Sequence, residues 1–137
     1  MSSFVWDDAR HALGVPEMDA THHAFVEQVD RLCAADDAAF PALFNTLLEH
    51  TRSHFFAEDA RMKETRFNAI GEHISEHQRV LIELRSFNRS VQAGKMRMAR
   101  AYVRENLKEW FDLHLATMDS ALAAHLKRLA VDKAVSA

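Results

Sequence analysis

Hydrophobic residues recur every three or four positions along most of the chain, which is the spacing of one face of an α-helix. Four such faces can be traced, from His22 to Cys33, Phe40 to Met62, Ile70 to Phe87 and Met98 to Leu126. No strand-like alternation of useful length competes with them. Because the connections between the faces are short, neighbouring helices are expected to run antiparallel. The pattern therefore predicts an all-α protein, an antiparallel up-down-up-down four-helix bundle with an N-terminal arm.

The two ends of the chain lack this sustained period. Trp6 is an isolated apolar point that we expect to pack the arm across the bundle, and Gly14 and Pro16 interrupt the pattern after it. Asp19 is the predicted N-cap of the first helix, because an aspartate side chain accepts hydrogen bonds from a first turn. Later breaks are predicted at Asn68 to Gly71 and at Gly94, and the single domain 1–137 is expected to divide into an arm (1–17), a bundle (18–130) and a fraying tail (131–137).

Composition narrows the class of protein. A chain of 137 residues suits one domain, and three glycines and two prolines leave long runs of helix formers. The formal charge of −3, with both signs interspersed, argues against a nucleic-acid partner. Cys33 is the single cysteine, so no internal disulfide can form. With neither a secretion signal nor a run of about 18 apolar residues, we expect a cytoplasmic protein without a membrane span.

Seven polar residues fall on the apolar helix faces. A buried polar group costs several kcal/mol unless it finds a partner, and a metal would supply that partner for all seven at once. The pairs His54/Glu58 and His73/His77 are four residues apart, so each pair shares one face of a helix. The seven candidate metal ligands are His22, His54, Glu58, His73, His77, His114 and Asp119.

The spacing of His114 and Asp119 favours more than one metal ion. Five residues apart on a regular helix, they point about 140° away from each other. They can bracket a wide target such as two metals, or a local π-type bulge can realign them. Seven ligands would also overfill a tetrahedral zinc, which takes four. Glu-x-x-His pairs, which are typical of ferritin-like di-iron sites, and the HExxH motif of metalloproteases are both absent.

The whole pattern resembles the hemerythrin family, and within it the single-domain bacteriohemerythrins. The matching stretches are MDATHHAF, HFFAEDARM, HISEH and WFDLHLATMD, which carry the seven candidate ligands in order. The resemblance implies a four-helix bundle that holds two non-haem irons joined by an oxo or hydroxo bridge. It further implies that His73, His77 and His114 bind one iron, that His22 and His54 bind the other, and that Glu58 and Asp119 bridge both.

The resemblance also implies a function and a ligand pocket. The second iron would keep an open position for dioxygen, beside an apolar wall formed by Phe25, Phe55, Trp110 and Leu115. A site with few carboxylates, next to a water-poor pocket, favours reversible dioxygen binding for delivery, storage or sensing over oxidation of a substrate. The alternatives are an oxidase, a peroxidase, a nitric oxide reductase or an iron-handling protein. A separate protein acceptor or reductase is the expected macromolecular partner.

Some positions differ from the family pattern or carry no metal role. Residues 66–68 replace a tyrosine and a proline that are common before the third helix, and Asp59 replaces a common second glutamate. These changes affect the expected turn and the surroundings of the ligands, not the ligands themselves. His50 lies one turn before His54 and is a candidate second-shell support. Ordinary structural roles are nevertheless expected for His50 and for the remaining histidines, His11, His23 and His125.

Overall fold

The computed structural model describes residues 4–136, and these form a bundle of four long helices, as the sequence pattern predicts. Residues 1–3 of the predicted arm and residue 137 of the predicted tail lie outside the described residues. No strand occurs in the described part of the chain, and none of its helices is long and apolar enough to cross a membrane. The helices are α1 (Asp8–His11), α2 (Pro16–Ala34), α3 (Phe40–Glu64), α4 (Ile70–Gln92) and α5 (residues 97–136).

Helix α5 is continuous but contains two π-helical segments, Tyr102–Leu107 and Leu115–Asp119. The second segment lies between the candidate ligands His114 and Asp119. A π-type turn holds more residues than an α-helical turn, so two residues five apart are brought toward the same side. Of the two arrangements that the sequence allowed, the structure therefore contains the π-type realignment.

The core consists of two apolar clusters with a polar layer between them. On α2, His22 lies between Met18 of one cluster and Phe25 of the other. On α5, Asp119 lies in the same way between Leu122 and Leu115. We call the cluster that contains Phe25 and Leu115 the upper cluster, and the one that contains Met18 and Leu122 the lower cluster. The polar layer thus crosses the bundle nearer one end.

The N-terminal segment is more ordered than the predicted arm. Residues 8–11 form one helical turn, and Phe4 is buried in the upper cluster with its backbone N–H donating to Asp30 Oδ1 at 3.1 Å. Trp6 is half-buried and packs against the same cluster, as expected, with its ring centroid 5.1 Å from that of His23. The segment is therefore held by Phe4 as well as by Trp6.

The predicted start of the first helix is wrong. Helix α2 begins at Pro16, because proline has no N–H to lose in a first turn and its fixed φ is already helical. Asp19 is consequently inside the first turn. Its carboxylate instead accepts the backbone N–H groups of Leu13 (2.7 Å) and Gly14 (3.1 Å). Asp19 therefore ties the preceding loop to the helix rather than capping it.

The predicted C-terminal tail is also helical where it is described. Residues 120–136 form the last α-helical part of α5, so the helix does not end at residue 130. Side chains 131–134 are exposed to solvent. This extension follows from the unbroken run of helix-forming residues, which contains neither glycine nor proline.

The turn between α3 and α4 sets the relation between two ligand-bearing helices. The backbone N–H of Phe67 donates to Met62 O (3.0 Å) and that of Arg66 donates to Lys63 O (3.3 Å), which is the pattern of a Schellman motif. Such a motif needs a left-handed residue, usually glycine. Gly94 takes this position after α4, with φ +87°, whereas Arg66, with φ +55°, takes it after α3. Arg66 therefore adopts a backbone conformation that is costly for a residue with a Cβ.

Substitution of Arg66 tests this strain. We expect Arg66→Gly to raise the free energy of unfolding by about 0.5–1 kcal/mol, since a left-handed non-glycine residue costs about 1–2 kcal/mol and the greater freedom of glycine in the unfolded chain returns part of it. Urea denaturation of the metal-free protein would measure the change. Arg66→Ala is the matched control, because it removes the guanidinium and keeps the strain. Equal stabilisation by both variants would mean that charge, not φ, is responsible.

Candidate metal centre

The seven predicted ligands come together in the polar layer of the bundle. Each of the four long helices contributes at least one of them. His22, His73 and His77 are each about 1% exposed, and the side chain of His54, the most exposed of the seven, is 12% exposed. So many polar groups in one dry layer require either mutual pairing or a common ligand.

Three histidines surround one oxygen of each carboxylate. His73 Nε2 lies 2.9 Å from Glu58 Oε1 and 3.1 Å from Asp119 Oδ1. His77 Nε2 lies 3.1 Å from the same Glu58 oxygen, and His114 Nε2 lies 3.1 Å from the same Asp119 oxygen. This half of the centre therefore offers five donor atoms, which come from α3, α4 and α5.

The other two histidines face the second oxygen of each carboxylate. His54 Nε2 lies 3.0 Å from Glu58 Oε2, and His22 Nε2 lies 3.2 Å from Asp119 Oδ2. The imidazole rings of His22 and His54 are 5.3 Å apart. This half offers four donor atoms. Each carboxylate thus extends one oxygen into each half, as a carboxylate that bridges two metal ions would.

The positions of the donor atoms suit metal coordination better than hydrogen bonding between the side chains. Donors bound to one octahedral ion at about 2.1 Å would lie about 3.0 Å from their neighbours, which is close to the observed separations of 2.9–3.2 Å. Despite these short separations, six of the nine donor atoms are buried without a hydrogen-bond partner. This is expected of ligands that point at a common metal ion instead of at one another. The atoms without a partner are Nε2 of His22, His73, His77 and His114, Oε1 of Glu58 and Oδ1 of Asp119.

The carboxylates and one imidazole have shifted pKa values in the metal-free protein. Burial alone would raise the pKa of Glu58, but the nearby imidazoles, beginning with His54, hold it well below its ordinary 4.5. Burial likewise opposes the imidazoles around Asp119, beginning with His114, which keep its pKa well below 3.8. Burial lowers the pKa of His73, whereas Asp119 and then Glu58 raise it to about 9. A proton on His73 therefore partly substitutes for a metal ion.

Contacts outside the seven ligands orient them. Asp59 Oδ1 lies 2.7 Å from His77 Nδ1, so a carboxylate holds the ring nitrogen that faces away from the centre. The sequence showed Asp59 only as a departure from the family pattern, and a carboxylate one residue after Glu58 was the available signal. No hydrogen bond from the buried Nδ1 of His50 supports a second-shell role, and an ordinary structural role stays the prediction for this residue. His125 Nε2 hydrogen-bonds to Thr65 O, a structural role as expected.

The four predicted pocket residues lie around the histidines on the upper-cluster side. Phe55 stacks on His77 with ring centroids 3.8 Å apart, and Trp110 stacks on His114 at 4.7 Å. Phe25 contacts Trp110 at 6.4 Å. Leu115 follows His114 directly and is 2% exposed. All four belong to the upper cluster or pack against it, and their role as the apolar wall of a ligand pocket stays a prediction.

The sequence reasoning did not single out Phe111. Its ring stacks on Phe25 with centroids 4.9 Å apart and meets His22 edge-on at 5.7 Å. On its other side it contacts Phe4 and the buried His11, at 5.7 and 5.9 Å. The position of Phe111, three residues before His114 on the same helix, was the signal that could have identified it. Phe111 links the N-terminal segment to the wall of the centre.

Comparison with known proteins gives consistent results. The sequence profile of the family described as "Hemerythrin HHE cation binding domain" matches residues 13–126. A bacteriohemerythrin of Ralstonia nicotianae is 33% identical over 127 residues, which cover 93% of this chain and 91% of that protein. A myohemerythrin of Riftia pachyptila is 25% identical over 107 residues, 78% of this chain and 87% of that protein. The crystal structure of wild-type hemerythrin has a TM-score of 0.83 at 18% identity, covers 91% of this chain and 98% of its own, and shows the shared fold.

The shifted pKa values predict a stability optimum for the metal-free protein. Glu58 and Asp119 contribute stability above their ordinary pKa values, and this contribution is lost as the pH falls below about 4.5. The contribution of His73 is fully present below 6.5 and is lost as the pH rises to about 9. We therefore expect urea midpoints of chelator-treated protein to be highest between pH 4.5 and 6.5. His73→Gln should abolish the alkaline decline, and a wild-type midpoint that rises from pH 6.5 to 9 would contradict this account.

Proposed function

The chain belongs to the hemerythrin family, and we propose that it binds dioxygen reversibly at two non-haem irons held by the seven residues of the polar layer. Hemerythrins are oxygen-binding proteins rather than catalysts. The observation that carries the proposal for this chain is the unequal number of donors in the two halves. Five protein atoms face one half and four face the other, with each carboxylate shared between them.

The unequal halves assign a role to each ligand. His73, His77 and His114, with one oxygen from each carboxylate, would hold the first iron. His22 and His54, with the remaining oxygens of Glu58 and Asp119, would hold the second. The first half offers five protein donors and the second four, so the half of His22 and His54 would leave more room for an external ligand. When bound, the irons would supply the reversible electron transfer that dioxygen binding needs.

Apolar side chains on the upper-cluster side keep water away from the centre. Phe55 stacks on His77, Trp110 stacks on His114, and Phe111 meets His22 edge-on. Leu115 is buried in the same upper cluster. The indole N–H of Trp110 donates to Glu76 Oε1 at 2.7 Å, so this donor is satisfied and does not attract water to the site. A dioxygen molecule needs no polar contact to enter such a pocket, whereas water and protons, which promote irreversible oxidation, are disfavoured there.

The ligand set favours binding over catalysis. Two carboxylates and five neutral imidazoles donate less charge to iron than a carboxylate-rich site does, so they give less support to the higher oxidation states used to attack substrates. An oxidase, peroxidase, nitric oxide reductase or iron-handling role stays the alternative. A cytoplasmic location and a separate protein acceptor or reductase likewise stay predictions.

Metal analysis tests the assignment of the ligands. We expect two irons per chain in the wild type, because the donors exceed the needs of one ion. Glu58→Ala should lower the occupancy of both sites together, whereas His22→Ala should mainly lower the second, leaving about one iron per chain. Elemental analysis after loading with ferrous iron and gel filtration would measure both. Glu49→Ala, on the exposed face of the same helix, is the control and should retain two irons. A reproducible single zinc, or two irons in Glu58→Ala at wild-type affinity, would refute the assignment.

An optical experiment tests reversible dioxygen binding. The reduced protein should be nearly colourless, should gain a visible absorption band in air, and should lose it again when the oxygen pressure falls, without added reductant. Leu115→Ala should accelerate the irreversible loss of the band several-fold, because it opens the wall to water. Leu113→Ala, whose leucine is 67% exposed two residues away, is the matched control and should behave as the wild type. Immediate irreversible oxidation of the wild type would favour an enzyme instead.

A further inference from the structure

A cavity reaches the polar layer from the side of the lower cluster. It has a volume of about 120 Å³ and lies between α2, α3 and α5, where the residues of the lower cluster form its floor. We call it the α2–α3 cavity. Its inner end is lined by His54 and Glu58, and its outer end by Glu17 and Arg61. Since Arg61, Glu58 and His54 follow one face of α3, the cavity extends about 10 Å along that helix.

An ion pair lies across the mouth of this cavity. Arg61 Nη1 is 2.6 Å from Glu17 Oε1, and the two side chains are 37% and 60% exposed. Such an exposed pair contributes little to stability and opens easily. Hydrogen bonding to its own backbone and to Arg61 lowers the pKa of Glu17, so its carboxylate is charged at neutral pH. The pair therefore closes the mouth reversibly and places a carboxylate at the surface.

At the inner end the cavity reaches a buried carboxylate of the centre. Glu58 is 6% exposed, and its Oε2 lies 3.0 Å from Nε2 of His54, the other candidate ligand on the lining. The ionisable groups that line the cavity are two carboxylates, one guanidinium and one imidazole. Since Glu17 and Arg61 balance each other, the carboxylate of Glu58 leaves the lining with a negative charge, which disfavours an anion and gives dioxygen no advantage. A divalent cation is the ligand that these groups suit.

We propose that the α2–α3 cavity is the channel through which divalent metal ions reach the centre, with Glu17 as the first carboxylate that the ion meets and Arg61 as the cation that it displaces. The proposal rests on the proposed function, because it presumes that the polar layer holds metal. The volume is that of about four water molecules, which accommodates an ion that keeps part of its hydration shell. The ion then exchanges waters for Glu17, and next for His54 and Glu58, without crossing the apolar wall.

A second cavity is the alternative path by which a metal ion could reach the centre. It has a volume of about 320 Å³, reaches His73 from the outside and has Glu72 on its lining. It approaches one ligand instead of two, and neither carboxylate of the centre lines it. If metal entered there, Glu72 rather than Glu17 would control the rate. The two carboxylates therefore form a matched pair for the experiment.

Uptake of Co²⁺ by the metal-free protein tests the channel, because bound Co²⁺ has visible absorption and needs no oxygen chemistry. Glu17→Gln should slow uptake in a stopped-flow experiment roughly threefold to tenfold, and Arg61→Gln should accelerate it by a similar factor, since the first removes an attractive charge and the second a repulsive one. Release into excess chelator should change by the same factors, so that the final stoichiometry and affinity stay those of the wild type. Glu72→Gln and the surface variant Glu49→Gln should leave both rates unchanged.

The outcomes separate this proposal from the proposed function. If the wild type does not bind two ions, the assignment of the centre fails and the channel fails with it. If two ions bind but Glu17→Gln and Arg61→Gln load at the wild-type rate, or if Glu72→Gln is the slow variant, the channel alone is overturned. A loss of affinity in Glu17→Gln at an unchanged uptake rate would also overturn it, because Glu17 would then be a ligand rather than part of the route.

Discussion

Two buried carboxylates that are shared among five imidazoles impose the constraint on which the rest of the structure depends. Each imidazole Nε2 lies 2.9–3.2 Å from a carboxylate oxygen, although the seven residues come from four helices. Sliding one helix by a single turn would move its ligand by about 5.4 Å and leave buried polar atoms without partners. The polar layer therefore fixes the register of the helices, while the apolar clusters on either side supply most of the burial that stabilises the bundle.

The π segment of α5 makes this arrangement possible. A regular helix would direct His114 and Asp119 to different sides, and Asp119 could not then serve both halves of the centre. The segment Leu115–Asp119 brings His114 Nε2 to 3.1 Å from Asp119 Oδ1 while Asp119 Oδ2 still reaches His22. Such segments are rare and are frequent at functional sites.

The surroundings of the centre differ on its two sides, and each side suits a different small ligand. Toward the upper cluster the aromatic and aliphatic side chains exclude water, which suits dioxygen. Toward the lower cluster the α2–α3 cavity offers Glu17, His54 and Glu58, which suit a cation. Residues that are not ligands support the centre on the upper side. Asp59 contacts His77, and Phe4 and His11 pack against Phe111, which in turn contacts His22. The N-terminal segment therefore belongs to the structure of the centre even though it supplies no ligand.

The sequence by itself determined the helix faces, the bundle and the set of seven convergent polar residues, because these follow from three- and four-residue spacings within single helices. It did not determine that α2 begins at Pro16, where a helix-starting proline competes with the capping preference of Asp19. Only the tertiary structure decided between the two geometries for His114 and Asp119, brought Asp59 to His77, and placed Phe111 on His22. Those outcomes depend on how the helices are rotated and packed against one another, and the period of one helix carries no information about the rotation of its neighbours.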